Sequence, residues 1–182
     1  MELIEAIKTR RSIRRYKSNP VKDEDIETIL EAARWAPSWA NTQSWKFIVV
    51  KDPAIKAKLA ETLSPGNPAT SAVKDAPVVI AACAELGKAG CYRGTPVTEK
   101  GDWYMFDAGL AMQNLVLAAH SLGLGTVHVG ALDHKKAAQI LGLPEGISLV
   151  ELSPLGYPAE EAKTPRRKEL PEFVFYETYS KR

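Results

Sequence analysis

Residues 9–16 read TRRSIRRY, which places Arg10, Arg11, Arg14 and Arg15 around the hydroxyl of Ser12 with no acid among them. A solvated helix face would mix signs, because like charges one turn apart are unfavourable. What such a segment can do is grip an anion, since guanidinium groups bind phosphate through parallel, charge-assisted hydrogen bonds. A nucleic-acid backbone, a membrane headgroup and the phosphate of a small cofactor are the candidate anions. The whole chain carries 24 basic and 22 acidic side chains, a formal net charge of +2. Dedicated nucleic-acid-binding domains usually have a pI above about 9. The positive charge is local, and the expected partner is equally local.

Other chemistries find little support. The three histidines, His120, His128 and His134, have no HExxH spacing and no cysteine pair, so no metal site is expected. No G-x-S-x-G elbow marks a serine nucleophile. Gly125 and Gly130 have Walker A separation, but Ala131 and Leu132 stand where Lys and Ser/Thr are needed. Gly123 and Gly125 close a helix and open a strand, the reverse of a dinucleotide-binding turn, and read as a helix C-cap. With no evident acid–base machine and no catalytic side chain assigned, an enzyme of this sequence would take its reactivity from a cofactor.

The elements that must position these residues form one α+β domain over residues 1–182, with no repeat and no dividing linker. Its composition, 45% hydrophobic and 25% charged, is that of an ordinary soluble globular chain. Helices are expected over residues 2–10, from 23 to about 36, over 53–63, 102–122 and 134–142. The 102–122 helix is apolar around most of its circumference, which suits a core position. Strands are expected over 46–52, 77–84, 126–130 and 148–158, and a mobile connection over 87–101. Cys83 reads as a small hydrophobe on a buried strand. No segment looks like a signal peptide, and the longest apolar run, residues 76–84, is short of a bilayer span. A cytoplasmic location is expected.

In combination, the pieces are specific. RRSIR is followed by a helix ending in APS, then N-x-Q-x-W-x-F before a strand, DAGLAMQNLVLAAHSLGLGT (107–126), LGYP (155–158) and a basic tail. In that order and spacing the chain resembles the FMN-dependent nitroreductases over nearly its whole length. The resemblance implies a central mixed β-sheet flanked by helices, an intertwined homodimer with FMN at the interface, and a tail over 159–182 extending along the partner subunit. It assigns Arg10, Arg11, Ser12 and Arg14 to the FMN phosphate and ribityl oxygens. Pro37, Ser38, Trp39 and Asn41 match the loop that reaches the flavin from the partner, while Gln43 fits a loop anchor equally. Val127, His128, Val129 and Gly130 match the strand whose backbone amides approach the flavin ring, the His128 side chain pointing away from the core. Asn67 matches a polar flavin contact, and turn formation explains it nearly as well. Arg167 is the tail residue assigned to the phosphate, with Arg166 and Lys168 as alternates.

The implied activity is oxidation of NADH or NADPH and reduction of a nitroaromatic, quinone or related acceptor, in a ping-pong cycle. A relative with other flavin chemistry, such as dehalogenation or flavin processing, is the alternative within the fold. A nucleic-acid module built on residues 10–15 and 166–168 is the alternative from another class. The near-neutral charge and the lack of a recognition motif weigh against it. Neither a nucleic acid nor a membrane is expected as partner. Trp103 and Tyr104 lie near where relatives stack substrates, whereas Trp35 and Trp45 are expected in the core or an interface.

Overall fold

The computed structural model describes residues 1–179; residues 180–182, the end of the expected tail, lie outside the described residues. The helices are α1 (Leu3–Thr9), α2 (Asp23–Arg34), α3 (Pro53–Ala60), α4 (Thr70–Asp75), α5 (Tyr104–Ser121) and α6 (His134–Leu141). The strands are β1 (Trp45–Val50), β2 (Val78–Glu85), β3 (Cys91–Tyr92), β4 (Thr95–Pro96), β5 (Gly125–Thr126) and β6 (Ile147–Gly156).

β2 is the spine of the molecule. Successive side chains point to opposite faces of a strand, so Val78, Ile80 and Ala82 enter one core cluster while Val79, Ala81 and Cys83 enter the other. Burial on both faces explains why residues 77–84 show no polar alternation. Ile26, Ile29, Met112 and Leu115, from α2 and α5, close the first layer. Leu59, Val73 and Ala137, from α3, α4 and α6, close the second. Burial pushes the Cys83 thiol up to about 11, as befits an inert core side chain.

The main sheet runs β1-β2-β6-β5, with antiparallel ladders throughout. Among the described residues its mixed character is confined to one parallel bridge, from Ser12 to Thr126. That bridge stitches the arginine segment to the sheet edge. Local chemistry sets several boundaries: Asp52 caps α3 by accepting from Ile55 N–H at 2.9 Å, and Asp133 caps α6 through Lys136 N–H at 3.0 Å.

Some expectations are corrected. α4 was not foreseen; it is six residues long with no side-chain cap, so it leaves no periodic signal. Of the strand expected over 126–130, only Thr126 is in a ladder, and Val129 returns for a single bridge to Leu152. The 87–101 connection holds the small β3–β4 hairpin, and Asp102 ties its root to α5 by accepting from Gly87 N–H at 2.6 Å and Tyr104 N–H at 3.1 Å. The tail begins on its own chain: Ala159 N–H donates to Arg15 O at 2.9 Å, and Arg11 Nη2 donates to Thr164 Oγ1 at 2.9 Å. The extended backbone after Ser12 offers that pairing. Among the described residues no helix is long and apolar enough to cross a membrane, and no group of three or more His, Cys, Asp or Glu side chains could hold a metal.

Candidate cofactor-binding site

The arginine segment is held from beneath. Ile13 N–H donates to Thr126 O at 2.9 Å, and the Tyr16 hydroxyl donates to Ile13 O at 2.6 Å. Ile13 is buried, so its neighbours Ser12 and Arg14 face the other way. Arg10, Arg11, Ser12 and Arg14 line a cleft of about 550 Å³, together with Thr164 and Arg167 from the tail. Arg166 and Lys168 are not among its walls.

On two residues of its lining, Arg10 Nη1 and Arg11 Nε are buried without a hydrogen-bond partner among the described residues. Such groups cost about 1–3 kcal/mol when left unpaired. Burial, then the charges of Arg11 and Arg167, pull Arg10 below its ordinary pKa. Guanidinium donors of the kind that pair with an anion are thus gathered in the cleft, whose walls also include Glu160 and Glu161. Glu160 at the rim accepts from Arg14 N–H at 2.8 Å and lies 4.0 Å from Arg15 Nε. It engages the outer part of the cluster and leaves the two buried groups unpaired.

His120, at the end of α5, shares a 2.8 Å hydrogen bond with Thr9 through Nε2. Burial, then Arg10 and Arg11, pull its pKa below 6.5 against a weaker opposing effect of Glu5. A base depressed on folding gives stability that is full above the unfolded pKa and is lost as pH falls through the folded one. An anion in the cleft offsets the two arginine charges. Saturating phosphate or FMN is therefore expected to move the His120 titration upward, read from its imidazole proton by NMR; an unchanged midpoint would contradict this.

Residues 127–130 and 67 form a second group. Val129 exchanges both backbone hydrogen bonds with Leu152, at 2.9 and 3.0 Å. Its amide is thus unavailable to a ligand, which corrects its expected role. Val127 packs in the second core layer. The His128 and Gly130 amides have no backbone partner among the described residues, and the His128 side chain is exposed, 2.7 Å from Glu151 through Nδ1. Asn67 turns its own loop: its side chain accepts from Ala69 N–H at 2.9 Å and donates to Ala131 O at 3.2 Å. The turn role is therefore satisfied, and Asn67 also fastens its loop beside Gly130.

The third group, around residues 37–43, does not wall the arginine cleft within one chain. Ala40, Asn41 and Gln43 all have positive φ, at 44°, 56° and 48°. Such non-glycine residues cost about 1–3 kcal/mol each and cluster at functional sites. Gln43 is a loop anchor: its N–H donates to Ser38 Oγ at 3.0 Å and its Nε2 to Asn41 Oδ1 at 3.2 Å. The Trp39 amide donates to Asp107 on α5. The Trp39 indole sits 5.5 Å from that of Trp103, which in turn lies 5.4 Å from Phe106. Trp45 is core and Trp35 is 73% exposed. Asp107 and Glu160 were missed because their partners lie 68 and 146 residues away.

Fold and cleft together define an α+β protein with an arginine-lined cleft at its sheet edge. The chain belongs to the Nitroreductase family, whose model matches residues 7–157. A Methanothermobacter thermautotrophicus relative, 37% identical over 90% of this chain and 81% of its own, carries a name that pairs NADH dehydrogenase with NAD(P)H nitroreductase. The FMN reductase [NAD(P)H] of Bacillus subtilis is 33% identical over 91% of this chain and 70% of its own. An FMN-dependent nitroreductase from Clostridium difficile R20291 superposes with a TM-score of 0.80 at 29% identity, covering 96% of this chain and 99% of that one.

Proposed function

We propose that this chain is an FMN-dependent oxidoreductase that takes electrons from NADH or NADPH, passes them to a nitroaromatic, quinone or related acceptor, and works as a homodimer. The observation that carries the reading is a pair of buried guanidinium atoms without a partner among the described residues, Arg10 Nη1 and Arg11 Nε, on residues that line a cleft with Ser12 and Arg167. A phosphate monoester fits this donor set, because it is dianionic and offers three acceptor oxygens. The names of the relatives point to the same cofactor.

FMN held there would supply the hydride chemistry between nicotinamide and acceptor. The chain's own residues bind and orient. Arg10, Arg11 and Arg167 neutralise the phosphate, and Ser12 adds a hydroxyl donor beside them. The free amides of His128 and Gly130 are the backbone donors available to the ring edge. No side chain serves as nucleophile.

A second copy is supported by what one chain leaves uncovered. Leu3, Ile4 and Ile7 expose the apolar face of α1, and Met105 and Phe106 are more than half exposed on α5. The 37–43 loop, strained yet absent from the cleft walls of its own chain, is the part that one subunit lends to the other.

Anaerobic mixing of the FMN-loaded protein with NADH or NADPH tests the reading. The visible flavin band bleaches with at least one nicotinamide and returns on adding a quinone or nitroaromatic, with parallel double-reciprocal plots in the steady state. A protein that takes up no FMN, or whose flavin neither nicotinamide reduces, overturns it.

A further inference from the structure

We infer that Asp107 is a positioning residue whose buried carboxylate sets the 38–43 loop and, through Trp39, the aromatic surface that acceptors meet; its link to acceptors rests on the function proposed above. Asp107 lies in the first turn of α5 and is 1% exposed. Its two carboxylate oxygens stand 3.1 and 3.2 Å from the Trp39 nitrogen. Among the described residues this backbone N–H is the only hydrogen-bond partner of the carboxylate.

Burying a carboxylate against one amide is unfavourable, and burial raises the Asp107 pKa while the Trp39 bond lowers it. The loop shows what is gained. Its left-handed residues need an external hold, yet its other hydrogen bonds are internal: Asn41 N–H to Ser38 O, Thr42 N–H to Trp39 O, and Gln43 N–H to Ser38 Oγ. Asp107 provides the one hydrogen bond from 38–43 to the rest of the described chain. Trp39 is gripped a second time at the start of α5, where the indole of Trp103, the residue preceding the helix, packs on its ring at a 44° tilt. Releasing the amide frees the backbone to leave the left-handed region, and the Trp39 indole leaves Trp103 with it.

The test compares two substitutions that keep the branched skeleton and the number of side-chain heavy atoms. Asp107→Leu cannot accept a hydrogen bond, whereas Asp107→Asn can. Two indoles this close give an exciton couplet in far-ultraviolet circular dichroism, and Trp39→Phe defines its loss. Asp107→Leu is expected to lose the couplet and to raise KM for a bulky nitroaromatic by about 10-fold, with kcat held within about 2-fold. Asp107→Asn is expected to keep the couplet and to stay within about 2-fold of the parent in KM. A couplet and KM retained in the leucine variant, or an asparagine variant indistinguishable from it, overturns the assignment. If the leucine variant does not fold, Asp107→Ala takes its place with the same expected results. Should the parent protein reduce no acceptor, the proposed function fails by itself, and the couplet still decides what Asp107 does to the loop.

Discussion

Arg10→Ala is expected to weaken FMN binding by about 10- to 100-fold, because hydrogen bonds to charged groups contribute about 1.5–3 kcal/mol each. The same substitution is expected to leave the FMN-free protein as stable as before, or slightly more so. The reason is that Arg10 is already under strain without a ligand: it is partly buried, crowded by the charges of Arg11 and Arg167, and has one nitrogen without a partner among the described residues. Removing it relieves that repulsion in the empty cleft and removes the grip in the filled one. Affinity and intrinsic stability should therefore move apart, which separates a binding role from a folding role. Flavin fluorescence titration and thermal melts of the FMN-free protein read the two quantities. An unchanged affinity, or an affinity loss matched by unfolding of the ligand-free protein, contradicts the argument.

Gly125→Ala is expected to lower stability by about 3 kcal/mol, combining overpacking of about 1–3 kcal/mol with one lost backbone hydrogen bond of about 1 kcal/mol. A Cβ at this position would lie 2.7 Å from Ile13 Cγ1 and 2.8 Å from Ile13 Cβ. The Ile13 Cβ is attached to the backbone and cannot swing aside, so the arginine segment itself must retreat from the sheet edge. That retreat pulls apart the Ser12–Thr126 bridge and the Ile13 N–H to Thr126 O hydrogen bond. For a domain of this size the melting temperature falls by about 2–4 °C per kcal/mol, so a drop of about 6–12 °C is expected, together with weaker FMN binding. Ile13→Ala in the same background should recover part of both losses, as coupled neighbours do. A melt within about 1 °C of the parent would show that the contact is not what holds the segment.

The arginine segment was legible because its charge density is anomalous against a balanced chain, and that anomaly is local in sequence. β2 was legible for the same reason, as an unbroken apolar run between loops. α5 betrayed its core position through alanines and leucines around most of its circumference. What stayed hidden depends on distant chain segments meeting. Nothing near Asp107 indicates that its carboxylate meets the amide of Trp39, and nothing near Glu160 indicates that it takes the amide of Arg14. The commitment of the Val129 amide to Leu152 is likewise invisible, since it follows from how β6 passes the 127–130 segment. The tail illustrates the same limit: its basic residues drew attention, whereas its return to the backbone of Arg15 is a pairing that composition does not encode.

The most direct measurement of the central claim is the affinity of the FMN-free protein for FMN and for riboflavin, which differ only in the phosphate. Titration by flavin fluorescence is expected to show FMN bound at least about 100-fold more tightly, with the gap narrowed by about 10- to 100-fold in Arg10→Ala. Equal affinities for the two flavins would mean that the arginine cleft holds no phosphate, and the account would be wrong.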